Sequence, residues 1–450
     1  CDTISWLDAD ALPALVTLLQ SDNANAQAPA ARAIGSIASL NRDQANQMDA
    51  AIAPLSKLID EGSQAARHNA FYALAELGPA AIPQMVKRLD NEEYFITAMT
   101  KGFIRHGEAS VEPLCKALSS GGVSTRRNAA QILFMLSWQV PNIKPAMAEA
   151  AMDILRQSIQ DEDAIVRRRA IATLGRLEDH ATPALHDLFT ALRQPEPLYA
   201  VLADSIERIG PRRERLDDLF QAALRYAEAS GDAEKAASRF GAAIAATGKE
   251  GIECVIQKLG YSEDVIQQTA MYALLEMGPV AAPAVPAVIE KLNAGDRLAA
   301  DVLRAMGPQA KEAVPDLISA LKRDKWAMPR SSLSILHHSA NAQALGAIGP
   351  AALPELLVGL RNENDLVRAG CLKALAEMEP EAMVPLPGIL ARTRDRNPIV
   401  RGLALVALVK HGDEESLLPV LNRLAEDSNP AVADLAQRQL AALNEQDSDE

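Results

Sequence analysis

One arrangement of apolar positions recurs along this chain. It is plain in ARHNAFYALAELGPAAIPQMVKRL from Ala66, IQQTAMYALLEMGPVAAPAVPAVIEKL from Ile266 and NAQALGAIGPAALPELLVGL from Asn341. Small or apolar residues recur at plus three, plus six, plus seven and plus ten from a start position, often with Gly at plus eleven. Sliding this template along the chain gives thirteen starts, from Gln27 to Ala433, spaced 29 to 42 residues apart. The plus-seven residues are Ile34, Leu74, Phe103, Leu133, Leu174, Ile206, Ile244, Leu274, Leu303, Leu345, Leu375, Leu408 and Leu440, all apolar. These offsets put one stripe on a 3.6-residue helix. Ala in the stripe lets a neighbouring helix come close. Gly at plus eleven suits a left-handed cap, and the Pro after it cannot continue the helix. A companion helix follows, often opened by Pro, as at Pro83, Pro183, Pro315 and Pro419. One such pair cannot bury both faces, whereas stacked pairs bury a continuous core. The pattern therefore predicts an all-α fold, a right-handed α-solenoid of about thirteen helix pairs. It fills residues 1–443 as a single domain, with 444–450 as an acidic disordered tail.

The best copies run Asp163 to Leu177, Asp365 to Met378 and Asn397 to Gly412. They carry an acid or amide, then Val-Arg, then Ala-x-x-Ala-Leu-x-x-Leu-Gly in varying states of decay. These residues resemble the HEAT repeat family, and more closely its short, phycobilisome-lyase-like variant. The resemblance covers Leu12 to Leu443. It implies a non-catalytic scaffold that binds a protein or peptide on its concave face or through loop insertions, without a cofactor. Two alternatives stay open: a phycobilin-lyase-like enzyme or accessory subunit of one, and an envelope-anchored assembly factor. The 34-residue Trp/Leu/Gly/Tyr pattern of tetratricopeptide arrays is not found.

Composition narrows the functional classes. The net charge is −14 and the pI near 5.1, which argues against a general nucleic-acid binder. No apolar run approaches the roughly 18 residues a membrane span needs. The longest candidate, Pro279 to Ile289, is interrupted by prolines. No His-Glu dipeptide of the deoxyhypusine-hydroxylase type is present, and no His pair has the i, i+4 spacing of a metal-binding helix. Cys115, Cys254 and Cys371 each sit in an apolar helical run and read as small core residues, which favours a reducing compartment. Cys1 has two readings. As a mature lipoprotein terminus, followed by Asp2, it carries a lipid anchor and places the chain at the cell envelope. As a fragment start it leaves a cytoplasmic location.

Two further groups of residues bear on function. Arg occupies the start position in five units: Arg67, Arg126, Arg167, Arg368 and Arg401. Stacked repeats align them in a structural ladder, and the HEAT resemblance implies pairing with the preceding turn, here Asp163 or Asp365. An anion-binding track is the functional alternative. The long spacings mark insertions. Ser39 to Asp49 and Ser137 to Pro145 fall between units, and Ser230 to Glu234 and Lys322 to Ser332 between the two helices of one unit. The last, KRDKWAMPRSS, sets Lys322, Arg323, Lys325 and Arg330 around Trp326, a candidate partner anchor. Trp138 is a second, weaker case.

Overall fold

The computed structural model describes the chain except residues 1–8, 41–44, 46, 91–92, 195–197, 325–338, 380–382 and 450. Its regular structure is α-helix and 3-10 turn, with no strand among the described residues. Eleven of the thirteen template starts lie inside a helix. Asp296 stands three residues before the helix Ala299–Met306, and His338 lies outside the described residues. The first twelve plus-seven residues, Ile34 to Leu408, have no exposed surface at all. Leu440 is half-buried, because no further described helix stacks on Pro430–Asp449.

The pairing refines the predicted unit. The companions other than the short Ile82–Val86 pack most closely on the template helix that follows them, as Ile52–Glu61 does on Gln64–Glu76 and Lys144–Ser158 on Ala164–Leu177. The chain divides into two compact units, 1–211 and 212–450. The first holds six such pairs and the second seven. Within each, successive template helices pack side by side as one layer and the companions form the other. This is the all-α solenoid arrangement. In this pairing Ser230–Glu234 joins Leu216–Ser230 to Ala233–Ala245, two helices of one pair, as expected.

Close approach within the template layer rests on small side chains. A Cβ on Gly175 would lie 2.6 Å from Ser205 Oγ, and one on Gly241 would lie 2.6 Å from Tyr272 Cβ. The corners between pairs rest on backbone shape. Gly278 and Gly307 have φ of 55° and 59°, and the 3-10 turns they open lead into the next companion. The expected left-handed corner is absent at Gly78, where φ is −66° and the chain leaves the helix extended. Glu178 takes the corner position of its unit with φ of 54°, a conformation that strains any side chain.

The stretch Asp264–Ala294 is long and apolar enough to cross a membrane, with mean hydropathy 1.4 in its best window. It is two helices, Asp264–Met277 and Val285–Ala294, bent apart at Gly278 and packed into the stack. Cys115 and Cys371 follow the core expectation, and Cys254 follows it only in part. Burial pushes the Cys115 and Cys371 thiols up to about 12, while Cys254 is half-buried.

Two substitutions check this account. Glu178→Gly should raise stability by about 1 kcal/mol, because its surface pair with Lys144 contributes little against the relieved corner. A lower midpoint in denaturant would contradict the strained corner. Leu274→Ala should cost about 2–5 kcal/mol and make unfolding multistate, since contacts reach only neighbouring pairs. A cost below about 0.5 kcal/mol would refute the register.

Candidate functional site

Charged side chains gather first at the polar turns that open the template helices. In three of these turns an Asp six residues before the template start accepts the amide of the residue two further on: Asp161 from Asp163 at 2.8 Å, Asp395 from Asn397 at 3.0 Å and Asp427 from Asn429 at 2.8 Å. The second residue of each turn then caps the helix. Asp163, Asn397 and Asn429 accept from the amides of Ile165, Ile399 and Ala431.

The start-position arginines tie these turns together. Arg368 Nη1 donates to the carbonyls of Asn362 and Glu363 in its own turn, at 2.8 and 3.0 Å. Its Nε and Nη2 grip Asp395 of the following turn at 2.9 and 2.8 Å, and Nη2 also reaches Asp365 at 2.7 Å. Arg401 repeats the pattern between Asp395 O and the Asp427 carboxylate, and Arg126 between Gly121 O and Asp161. Each arginine therefore joins its own turn to the next. The expected partner in the preceding turn holds only for Asp365. Arg167 donates to the carbonyls of Asp161 and Glu162, and Asp163 pairs instead with Arg127 at 2.5 Å. Arg67 is exposed and joins no ion pair among the described residues. The donors of Arg126, Arg368 and Arg401 are occupied by protein, which leaves little of them for an anion track.

A second row of arginines had no visible signal in the repeat template. Near the companion-helix ends, Arg88 donates to Ser56 O at 2.9 Å, Arg323 to Leu292 O at 2.9 Å and Arg423 to Thr393 O at 3.0 Å. Each reaches back to the preceding companion. The paired Asp turns were legible as the recurring Asp-x-Asp/Asn text. The companion-helix arginines have no such fixed text around them.

Of the predicted partner anchor, Lys325, Trp326 and Arg330 lie outside the described residues, as does Cys1. Lys322 is exposed, whereas the Arg323 guanidinium is turned onto the stack. Asp324 and Ser339 flank the undescribed stretch. Ser339 Oγ donates to Asp324 Oδ2 at 2.5 Å and Asn341 Nδ2 to Oδ1 at 2.8 Å. Burial pushes the Asp324 carboxyl up, and these two hydrogen bonds oppose it.

The other anchor candidate is better defined. Trp138 stands 61% exposed on the last turn of Val123–Gln139, not in a loop. Phe134, one turn earlier on the same face, is half-buried. The Arg169 guanidinium of the next template helix lies 5.1 Å from the centre of the Phe134 ring. Burial and the neighbouring Arg168 lower the Arg169 pKa, and its Nε is buried without a hydrogen-bond partner. His411, at a core-facing offset, has Nε2 2.8 Å from Leu375 O, a packing role.

The comparisons bear on fold. Residues 3–39 match the Armadillo/beta-catenin-like repeat. Compared with curated proteins, the chain matches none. A crystal structure of a Kap121p mutant superposes with a TM-score of 0.52 at 14% identity, covering 96% of this chain and 53% of that one. An engineered protein and a designed armadillo repeat protein each align at 20% identity over 59% of this chain, with TM-scores of 0.26, covering 96% and 99% of their own lengths. The fold is an armadillo/HEAT-like α-solenoid.

The ladder has a pH signature. Asp395 is buried and Asp427 half-buried, which alone would raise them, yet the arginine hydrogen bonds hold both below the usual carboxylate range. The Asn397 hydrogen bond, with Arg396 and Arg368, brings Asp365 to about 2 against the burial that opposes it. As pH falls, the unfolded chain takes these protons first. Stability is therefore full above about pH 4 and lost as pH falls toward about 2. Denaturant unfolding across that window should show the loss, and Asp395→Asn should be less stable at neutral pH with a shallower acid slope. An unchanged slope would remove the ladder from the acid response.

Proposed function

We propose that this chain is a non-catalytic scaffold that holds a protein partner on the free face of the template layer in residues 1–211. The exposed indole of Trp138 carries the reading. A large aromatic side chain on a rigid helix gives wide contact area with little ordering cost, the usual basis of an interface anchor. Phe134 extends its apolar surface by one turn. The start-position arginines Arg126, Arg368 and Arg401 are engaged in joining neighbouring turns, a structural use of their chemistry. In this reading residues 1–443 act as one array, and the Lys322 to Ser332 insertion with Trp326 is a second point of contact.

The test uses the full chain as bait in an extract of its source organism, followed by a binding isotherm with the captured partner. Trp138→Ala should weaken binding by over about 2 kcal/mol and leave stability within about 0.5 kcal/mol. Unchanged affinity together with lost stability would make Trp138 a packing residue and overturn the proposal.

A further inference from the structure

Resting on that reading, we infer that the partner segment seated at Phe134 and Trp138 is acidic and carries an apolar side chain, with Arg169, Arg176 and Arg208 receiving its carboxylates. The argument begins with Arg169. A guanidinium held over an aromatic ring, with a buried Nε lacking any hydrogen-bond partner, has surrendered water at that nitrogen without gaining an anion in return, while the half-buried side chain leaves the rest of its fork open to a ligand. The turn arginines Arg126, Arg368 and Arg401 and the companion-end Arg88 each hold carboxylates or carbonyls through their guanidinium, whereas no carboxylate or carbonyl is bound by the Arg169 guanidinium among the described residues.

The surroundings agree in sign. Arg176 lies seven residues after Arg169, two turns on along the same face of Ala164–Leu177. Arg208 is exposed on Tyr199–Ile209, the template helix packed next to it. The acids of that helix, Asp204 and Glu207, already hold interactions of their own. Arg169 thus lies on the aromatic pair, with Arg176 further along its helix and Arg208 on the next template helix, in a chain whose net charge is −14. That contrast favours a short acidic segment over a nucleic acid. A long polyphosphate would meet the repulsion of the whole molecule, and three cations neutralise few phosphates. An arginine fork binds carboxylate bidentately, and the indole covers a neighbouring apolar side chain.

The experiment titrates the full chain with a fluorescent twelve-residue peptide of glutamates around one central Phe. Parallel titrations use the same peptide with Gln for Glu, and a single-stranded oligonucleotide of equal length. The Glu peptide should bind saturably and at least tenfold more tightly than the other two, weakening several-fold as salt rises. Arg169→Gln and Trp138→Ala should each weaken it at least tenfold, with Arg169→Lys intermediate. Ala172→Glu sets a negative charge on the same face without removing a native contact, and should weaken it similarly even if Arg169→Gln folds poorly. Equal binding of the Gln peptide, tighter binding of the oligonucleotide, or indifference to Ala172→Glu would overturn the acidic partner. If the cellular partner still depends on Trp138 in those cases, the scaffold reading survives and only the partner chemistry falls. If Trp138→Ala leaves both the peptide and the cellular partner unaffected, both fall together.

Discussion

The stack depends on an arginine that reaches two ways. One edge of the Arg368 guanidinium binds the carbonyls of the turn that opens its own helix. The other binds the carboxylate in the next turn. The contact does two jobs at once. It satisfies main-chain oxygens that a tight turn leaves bare, and it fixes the spacing of one repeat against the next. Apolar stripes alone would let neighbouring template helices slide along each other. A bidentate pair between buried groups gives the contact a register, and losing either partner leaves a charge stranded.

Small residues set the other dimension. Gly175 against Ser205 and Gly241 against Tyr272 bring adjacent template helices into near backbone contact. Core side chains at plus seven can then be of ordinary size and still fill the space between layers. The arginine staples hold the helix starts, and the small residues hold the crossings.

Much of this was legible in the text of the chain. The 3.6-residue stripe located the template helices because it records the buried face directly. Asp296 preceded its helix because the turn before Ala299 uses part of the template length. The pairing was harder to read. A companion and a template helix are adjacent in sequence on both sides, and only packing decides which neighbour is closer. The ladder's arginines were visible, but the acids that Arg126, Arg368 and Arg401 grip bidentately sit one repeat further on than the resemblance implied, and only Asp365 pairs as implied. Spacing in sequence cannot tell a turn's own acid from the next turn's. Trp138 read as a loop residue because Val123–Gln139 runs two residues past the plus-eleven corner position, where Ser137 stands in place of Gly. The pairing of Arg169 with Phe134 joins two repeats, so neither repeat alone contains its signal.

The Asp324, Ser339 and Asn341 contacts have a consequence for how such a chain can change. Two ends of a peptide segment are pinned to each other and to the cap of Ala340–Ile348. The repeats on either side therefore meet the same boundary whatever the length of chain between those ends. Closing a longer flexible segment costs only slowly growing entropy. The clasp makes this site a socket in which new sequence can be exchanged while the architecture around it stays in register.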